Sequence, residues 1–150
     1  MKPEAEVREL ARHDLNALLE TYALLHPIDE PLPFVEELER LWARICEDPN
    51  LIYVGAFSGS QLVATCTAAI VPNLTRGARP YAVVENVFTH PEVRRQGLGS
   101  AVLQELLARC WSAGCYKVML LSGAQRDAAH AFYERNGFDR NAKQAFIVRK

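Results

Sequence analysis

The chain has 150 residues, 49% of them apolar, and a formal net charge of −1. That length fits one domain over residues 1–150, with enough apolar material for a core. The balance of 18 acidic against 17 basic residues lacks the basic excess of a nucleic-acid binder. No apolar run approaches the ~18 residues that cross a bilayer. Met1-Lys2-Pro3-Glu4-Ala5-Glu6 has no apolar signal core, so neither a membrane nor export is expected and the protein is read as cytoplasmic. Cys46, Cys66 and Cys110 fall in apolar-periodic segments, and all four cysteines are expected to be reduced. The histidines are scattered and no Cys-x-x-Cys spacing occurs, so no metal is expected.

In chain order, Glu6 to Leu10 alternates weakly and reads as a short strand. Asp14 is placed to cap a helix with Leu15, Leu18, Leu19, Tyr22 and Leu25 at helical spacing. The proline-broken stretch His26 to Pro33 is a loop. A second helix carries Val35, Leu38, Leu41, Trp42 and Ile45 on one face and stops at Asp48-Pro49-Asn50. The period then changes to two. Leu51 to Phe57 and Leu62 to Val71 form a hairpin turned by Ser58-Gly59-Ser60, and a polar loop leads to a long strand, Tyr81 to Thr89. Leu98 to Ser112 is a helix ended by Gly114, and Lys117 to Leu121 a short strand. Asp127 to Asn136 is a helix capped by Asp127 and stopped by Gly137, and Ala145 to Val148 a final strand. Hairpins followed by a βαβ unit give a mixed-sheet α/β fold.

The most informative segment is Arg94-Arg95-Gln96-Gly97-Leu98-Gly99-Ser100, between a strand and a helix. A glycine-rich turn that opens a helix presents unpaired backbone N–H groups, and the helix dipole favours an anion there. Gly97 and Gly99 admit close approach of a pyrophosphate, and Arg94 and Arg95 add positive charge. A P-loop would need a lysine, and a dinucleotide fingerprint a third glycine; neither is present.

The Arg-x-x-Gly-x-Gly spacing resembles the coenzyme-A loop of the GCN5-related N-acetyltransferase (GNAT) superfamily. The surrounding run Val84 to Gly99 and the block Ala131-Phe132-Tyr133-Glu134-Arg135-Asn136-Gly137-Phe138 extend the resemblance over roughly residues 51–138. It implies a GNAT fold: a mixed, mostly antiparallel sheet with a splayed parallel strand pair, flanked by about four helices. It implies acetyl-CoA as co-substrate. The pantetheine arm would pair with the backbone of Val87, Phe88 and Thr89, and the pyrophosphate would lie on residues 94 to 100, including Gln96, Leu98 and Ser100. Arg126 and His130, which flank the second block, are candidates for the CoA phosphates or adenine.

An alkylamine, with a pKa of about 10.4, must lose a proton before it attacks a thioester. Glu85 is the candidate general base. Strand alternation puts it on the face of Val83 and Val87, where a carboxylate in an apolar run needs a partner or a task. Asn86 points the other way unless a bulge intervenes, and could orient the acceptor. Tyr133 resembles the family tyrosine that protonates the departing thiolate.

The acceptor stays open at this stage. Gly114 to Leu120, with Phe132-Tyr133-Glu134, looks like the glucosamine-6-phosphate N-acetyltransferases. This chain has Asn86 where those enzymes usually have aspartate, and Ser122-Gly123 where they commonly have an acid. In the loop from Asn73 to Pro80, Asn73 and Arg76 could hold an anionic acceptor, with Arg79 nearby. Asp29 and Glu30 would favour a cationic one. A small-molecule amine leads, with a protein lysine or N-terminus, or a catalytically silent acyl-CoA-binding regulator, as alternatives. A homodimer is common in the family.

Overall fold

The structure is a computed structural model describing residues 4–150; the part of the N-terminal reading that concerns Met1-Lys2-Pro3 lies outside the described residues. The chain forms two compact units, residues 1–119 and 120–150.

The first unit runs β1 (Glu6–Glu9), a 3-10 turn (Arg12–Asp14), α1 (Leu15–Leu25), α2 (Val35–Glu47), β2 (Leu51–Ser58), β3 (Gln61–Val71), a single turn α3 (Thr75–Ala78), β4 (Tyr81–Thr89) and α4 (Leu98–Ser112). β5 (Val118–Leu120) straddles the boundary between the units. The sheet order is β1-β2-β3-β4-β5. The first four strands are antiparallel neighbours, and β5, reached through the α4 crossover, runs parallel to β4. The mixed sheet expected from the sequence is therefore present. Gly59 turns the β2–β3 hairpin at φ +60, and Gly114 ends α4 at φ +86, its N–H donating to Trp111 O.

Cross-strand register sorts the side chains onto two faces. Cys66 lies beside Cys110 of α4, so Ala64, Ala68 and Ile70, with Val84 and Ala82 opposite the last two, face that helix. α4 answers with Val102, Leu103, Leu106, Leu107 and Cys110, all buried. The opposite face carries Tyr53, Thr67 and Glu85 in one row and Leu51, Ala69 and Val83 in the next. α1 and α2 cover this side through Leu18 and Trp42, which cluster with Leu10, Phe57 and Leu62. Two bulges exchange faces locally. One, at Ala56/Phe57, brings Leu62 opposite Phe57. The other sets Asn86 and Val87 against the single residue Cys66.

Three local expectations change. Asp14 does not cap α1 through its side chain. The chain enters by a 3-10 turn, and the buried carboxylate accepts from Ala11 N at 2.7 Å and from both Arg8 nitrogens at 2.7 and 3.0 Å. A bidentate bond to the Arg8 guanidinium wins over single bonds to the helix N–H groups. On α2 only Leu38, Trp42 and Ile45 pack inward, while Val35 and Leu41 are exposed. The Asn73–Pro80 loop contains the short turn α3, in which Arg76, Gly77 and Ala78 are left-handed.

In the second unit, α5 (Asp127–Arg135) has Arg126 rather than Asp127 at its N-cap, and Asp127 serves as a first-turn acid. Gly137 stops the helix at φ +96. The expected strand Ala145–Val148 does not form: Phe146 and Val148 are exposed, and the segment has no ladder among the described residues. Alternating apolar residues make a strand only where a neighbour supplies hydrogen bonds.

Candidate functional site

The bulge in β4 governs the first part of the site. Asn86 adopts φ +53, a left-handed conformation that asparagine tolerates better than most residues. Beyond it the faces switch, so Phe88, not Val87, shares the face of Glu85. The sequence alternation through Val83 and Glu85 holds; its extension to Val87 fails because two residues oppose one. The cost of burying Glu85 is also absent, since the residue is exposed. Its carboxylate has no hydrogen bond or ion pair among the described residues, while its backbone carbonyl accepts from Thr67 Oγ1 at 3.1 Å.

Beside Glu85 is a cavity of about 210 Å³ lined by Leu51, Tyr53, Thr67, Val83, Glu85 and Asn86, together with two alanines. Glu85 is the only charged group in the lining. Tyr22 of α1 lies near two of the lining residues, Tyr53 and Asn86. Burial pushes the Tyr22 pKa far above the ordinary tyrosine value, Tyr53 adds to this, and the neighbouring Asn86 side chain pulls it back. The buried hydroxyl has no well-formed hydrogen bond among the described residues. Sequence reasoning treated Tyr22 only as an apolar helix position and passed over Tyr53. Neither has a motif to mark it; their shared position follows from packing.

The second part follows β4. Backbone hydrogen bonds join the starts of the parallel strands, Ala82 N to Lys117 O at 3.1 Å and Tyr116 N to Pro80 O at 3.0 Å. β5 has three residues and β4 nine, so Val87, Phe88 and Thr89 run past β5. After Thr89 the chain makes a 3-10 turn, and Arg94 Nε reaches back to Thr89 O at 3.1 Å, which ties the loop to the strand end. Arg95 and Gly97 are both left-handed, at φ +63 and +83. The first intrahelical bond of α4 is Ala101 N to Gly97 O. Leu98 and Gly99 N–H groups therefore have no acceptor within the helix. Ser100 completes this first turn and is half-buried. The space where a Cβ would stand on Gly97 is open. Gln96 donates through Nε2 to Glu92 O at 3.4 Å, while its buried Oε1 lacks a partner. Open space over left-handed backbone, unspent amides and the exposed Arg95 fit a diphosphate.

The remaining residues divide between the units. Asn73 is used within its own loop, its Nδ2 donating to Thr75 and to Arg79 O, and so holds the left-handed turn in shape. Arg76 is exposed on that turn. Tyr81, which follows the loop, is four residues from Glu85, about 13 Å along the strand. In the second unit, Tyr133 packs edge-on against Phe132 and Phe138, with centroids at 5.4 and 6.1 Å. His130 Nε2 donates to Gly123 O at 2.8 Å, and Arg126 lies exposed at the start of α5. All four cysteines are free; burial pushes the Cys110 pKa up to about 11, so it is a packed thiol rather than a nucleophile.

Comparison with known proteins identifies the family. The sequence profile of the Acetyltransferase (GNAT) family matches residues 15–138. A glucosamine 6-phosphate N-acetyltransferase of Trypanosoma brucei brucei is 36% identical over 84 residues, 56% of this chain; the match spans only 55% of that protein's length. A solved structure described as an acetyltransferase of Agrobacterium tumefaciens str. C58 is 42% identical, with TM-score 0.89 over 97% of this chain and 99% of that one. One described as a transcriptional regulator from Bacillus halodurans C-125 is 27% identical, with TM-score 0.82 over 97% of this chain and 99% of that one. With a family profile spanning residues 15–138 and a mixed α/β sheet shared with a solved acetyltransferase structure, the chain belongs to the GNAT family of acetyltransferases.

Proposed function

We propose that this protein transfers the acetyl group of acetyl-CoA to the primary amine of a small molecule. The observation that carries the reading is the continuous path along β4. A free carboxylate at Glu85 borders a cavity, a bulge follows at once, and the strand then delivers its exposed edge into a left-handed turn at the start of α4.

Acetyl-CoA, when bound, supplies the activated thioester. The backbone of Val87, Phe88 and Thr89 would hold its pantetheine arm. Arg94, Arg95, Gln96 and Gly97, with the first turn of α4 at Leu98, Gly99 and Ser100, would hold the pyrophosphate. Arg126 is a candidate for the nucleotide end. His130 shares that candidacy through Nδ1, its Nε2 being committed to Gly123. Glu85 takes the proton from the acceptor ammonium, directly or through water, because only the neutral amine is a nucleophile. Tyr133 supplies a proton to the thiolate that departs. Asn86, on the cavity wall, orients the acceptor. Asn73 and Arg76 drop out of the proposal, since Asn73 is spent on its own loop and Arg76 belongs to the same turn, well along the strand from Glu85. The reading extends to a cytoplasmic enzyme with one domain over residues 1–150, and leaves a homodimer to be tested by light scattering.

The test is free-thiol release from acetyl-CoA across a panel of primary amines. Amine-dependent release supports the proposal. Tight acetyl-CoA binding without release favours the second reading, an acyl-CoA-binding regulator, which the similarity to a structure described as a transcriptional regulator brings into view.

A further inference from the structure

The acceptor's chemical class can be read from the charge and polarity around the Glu85 cavity. Its lining is apolar except for Tyr53, Thr67, Asn86 and one carboxylate, and it holds no lysine, arginine or histidine. α1 and α2 cover the same face, with Trp42 edge-on to Tyr53 at 5.2 Å. Between Arg12 and Arg40 the chain carries seven acidic residues and no lysine or arginine. Among the described residues only Asp14 of these is in an ion pair. The α1–α2 loop starts four residues after Tyr22, about 6 Å along the helix axis. It presents Asp29 and Glu30 with Ile28, Leu32 and Phe34, all three of these apolar side chains exposed.

A phosphate would need cations that this unit does not place here. Arg79 is turned to its own loop, donating to Arg76 O at 2.9 Å and lying over Tyr116. Lys117 lies between Tyr81 and Tyr116. An uncompensated phosphate beside Glu85 would meet like charge with no bidentate partner. An ammonium would meet the opposite charge, and an apolar body would meet Leu51, Val83 and the aromatic ring of Tyr53.

We infer that the acceptor is a small organic cation: a primary ammonium on an apolar body, without a phosphate or carboxylate, and with a second positive charge accommodated by the α1–α2 loop. This rests on the cavity beside Glu85 being the acceptor site, and it departs from the amino-sugar phosphate that the name of the trypanosomal relative suggests.

The test compares phenethylamine and cadaverine with glucosamine 6-phosphate, using the whole chain with saturating acetyl-CoA. The two unphosphorylated amines should exceed the phosphosugar by about tenfold or more in kcat/KM. Asp29→Asn combined with Glu30→Gln should raise KM for cadaverine several-fold more than KM for phenethylamine, a difference that added salt should erase by screening. Equal or better use of glucosamine 6-phosphate overturns the inference. Should no amine release thiol, acetyl transfer fails as a reading, and calorimetry with the CoA-saturated protein decides the acceptor class by itself. Cadaverine heat that disappears in Glu85→Gln supports the inference; absent cadaverine binding, or tighter binding of the phosphosugar, overturns it.

Discussion

The two faces of the sheet are built to different specifications. Toward α4, Ala82 and Val84 meet Val102, Leu103, Leu106 and Cys110, all nearly sealed from solvent and none with an ionisable group that is charged near neutral pH. Toward α1 and α2, a buried carboxylate, a buried tyrosine hydroxyl without a well-formed hydrogen bond among the described residues and a cavity occur within one layer. A close-packed face gains its stability from excluded water and dispersion, which leaves no room for a ligand. The other face gives up some of that packing and keeps unsatisfied polar groups, the usual mark of a surface that works on something else.

The contrast can be broken from either side. Glu85→Gln should leave the melting temperature nearly unchanged and lower kcat by about 10³-fold, within the span ordinary for loss of a general base. A kcat within about tenfold of the parent's would remove Glu85 from that role. Leu106→Ala, on the sealed face, should cost about 3 kcal/mol in urea denaturation while KM for acetyl-CoA stays put. A loss below about 1 kcal/mol would show that the face against α4 is not close-packed at Leu106.

Asp14→Asn tests the polar part of the opposite face. Its Arg8 partner, with burial opposing and Ala11 N–H assisting, holds the Asp14 carboxyl below the usual carboxylate range. A depressed folded pKa means stability that is fully present above the unfolded value near 4 and lost as pH falls through the lower folded value. Removing the charge should cost about 2 kcal/mol at pH 7, and the variant's stability should vary less with pH below 4 than the parent's. Parallel pH curves for the two proteins would exclude the pair as the cause.

Gly97→Ala should cost about 1 kcal/mol from the left-handed backbone alone, since no neighbour obstructs the added methyl. It should also weaken acetyl-CoA binding, as a thermal-shift titration would read. Tyr22→Phe is the smallest and most diagnostic change. Deleting a buried hydroxyl without a well-formed bond should leave stability level or raise it by up to about 1 kcal/mol, while KM for the amine rises several-fold. A drop in stability with KM unchanged would make Tyr22 an ordinary core residue.

Much of this molecule was legible before folding. Helix α4, the β2–β3 hairpin and the Arg94–Ser100 turn were readable because glycine conformation, apolar period and helix-end chemistry are local properties. Glu85 was singled out for a reason that did not survive, since the residue is exposed rather than buried in an apolar run. Ala145–Val148 had a strand's composition and no strand partner. Asp14 had a cap's position and a stronger claim from Arg8.

The sequence by itself determined the family, the order of the main elements from β1 to α5 and the glycine turn that opens α4, because each is encoded within a few consecutive residues. Only the tertiary structure decided that Asn86 is left-handed, that Phe88 takes the place expected of Val87, and that Tyr53 lines the cavity with Tyr22 beside it. Those facts depend on which residue of β3 stands opposite β4 and which helix covers that face. Such pairings join residues far apart in the chain, and no local period records them.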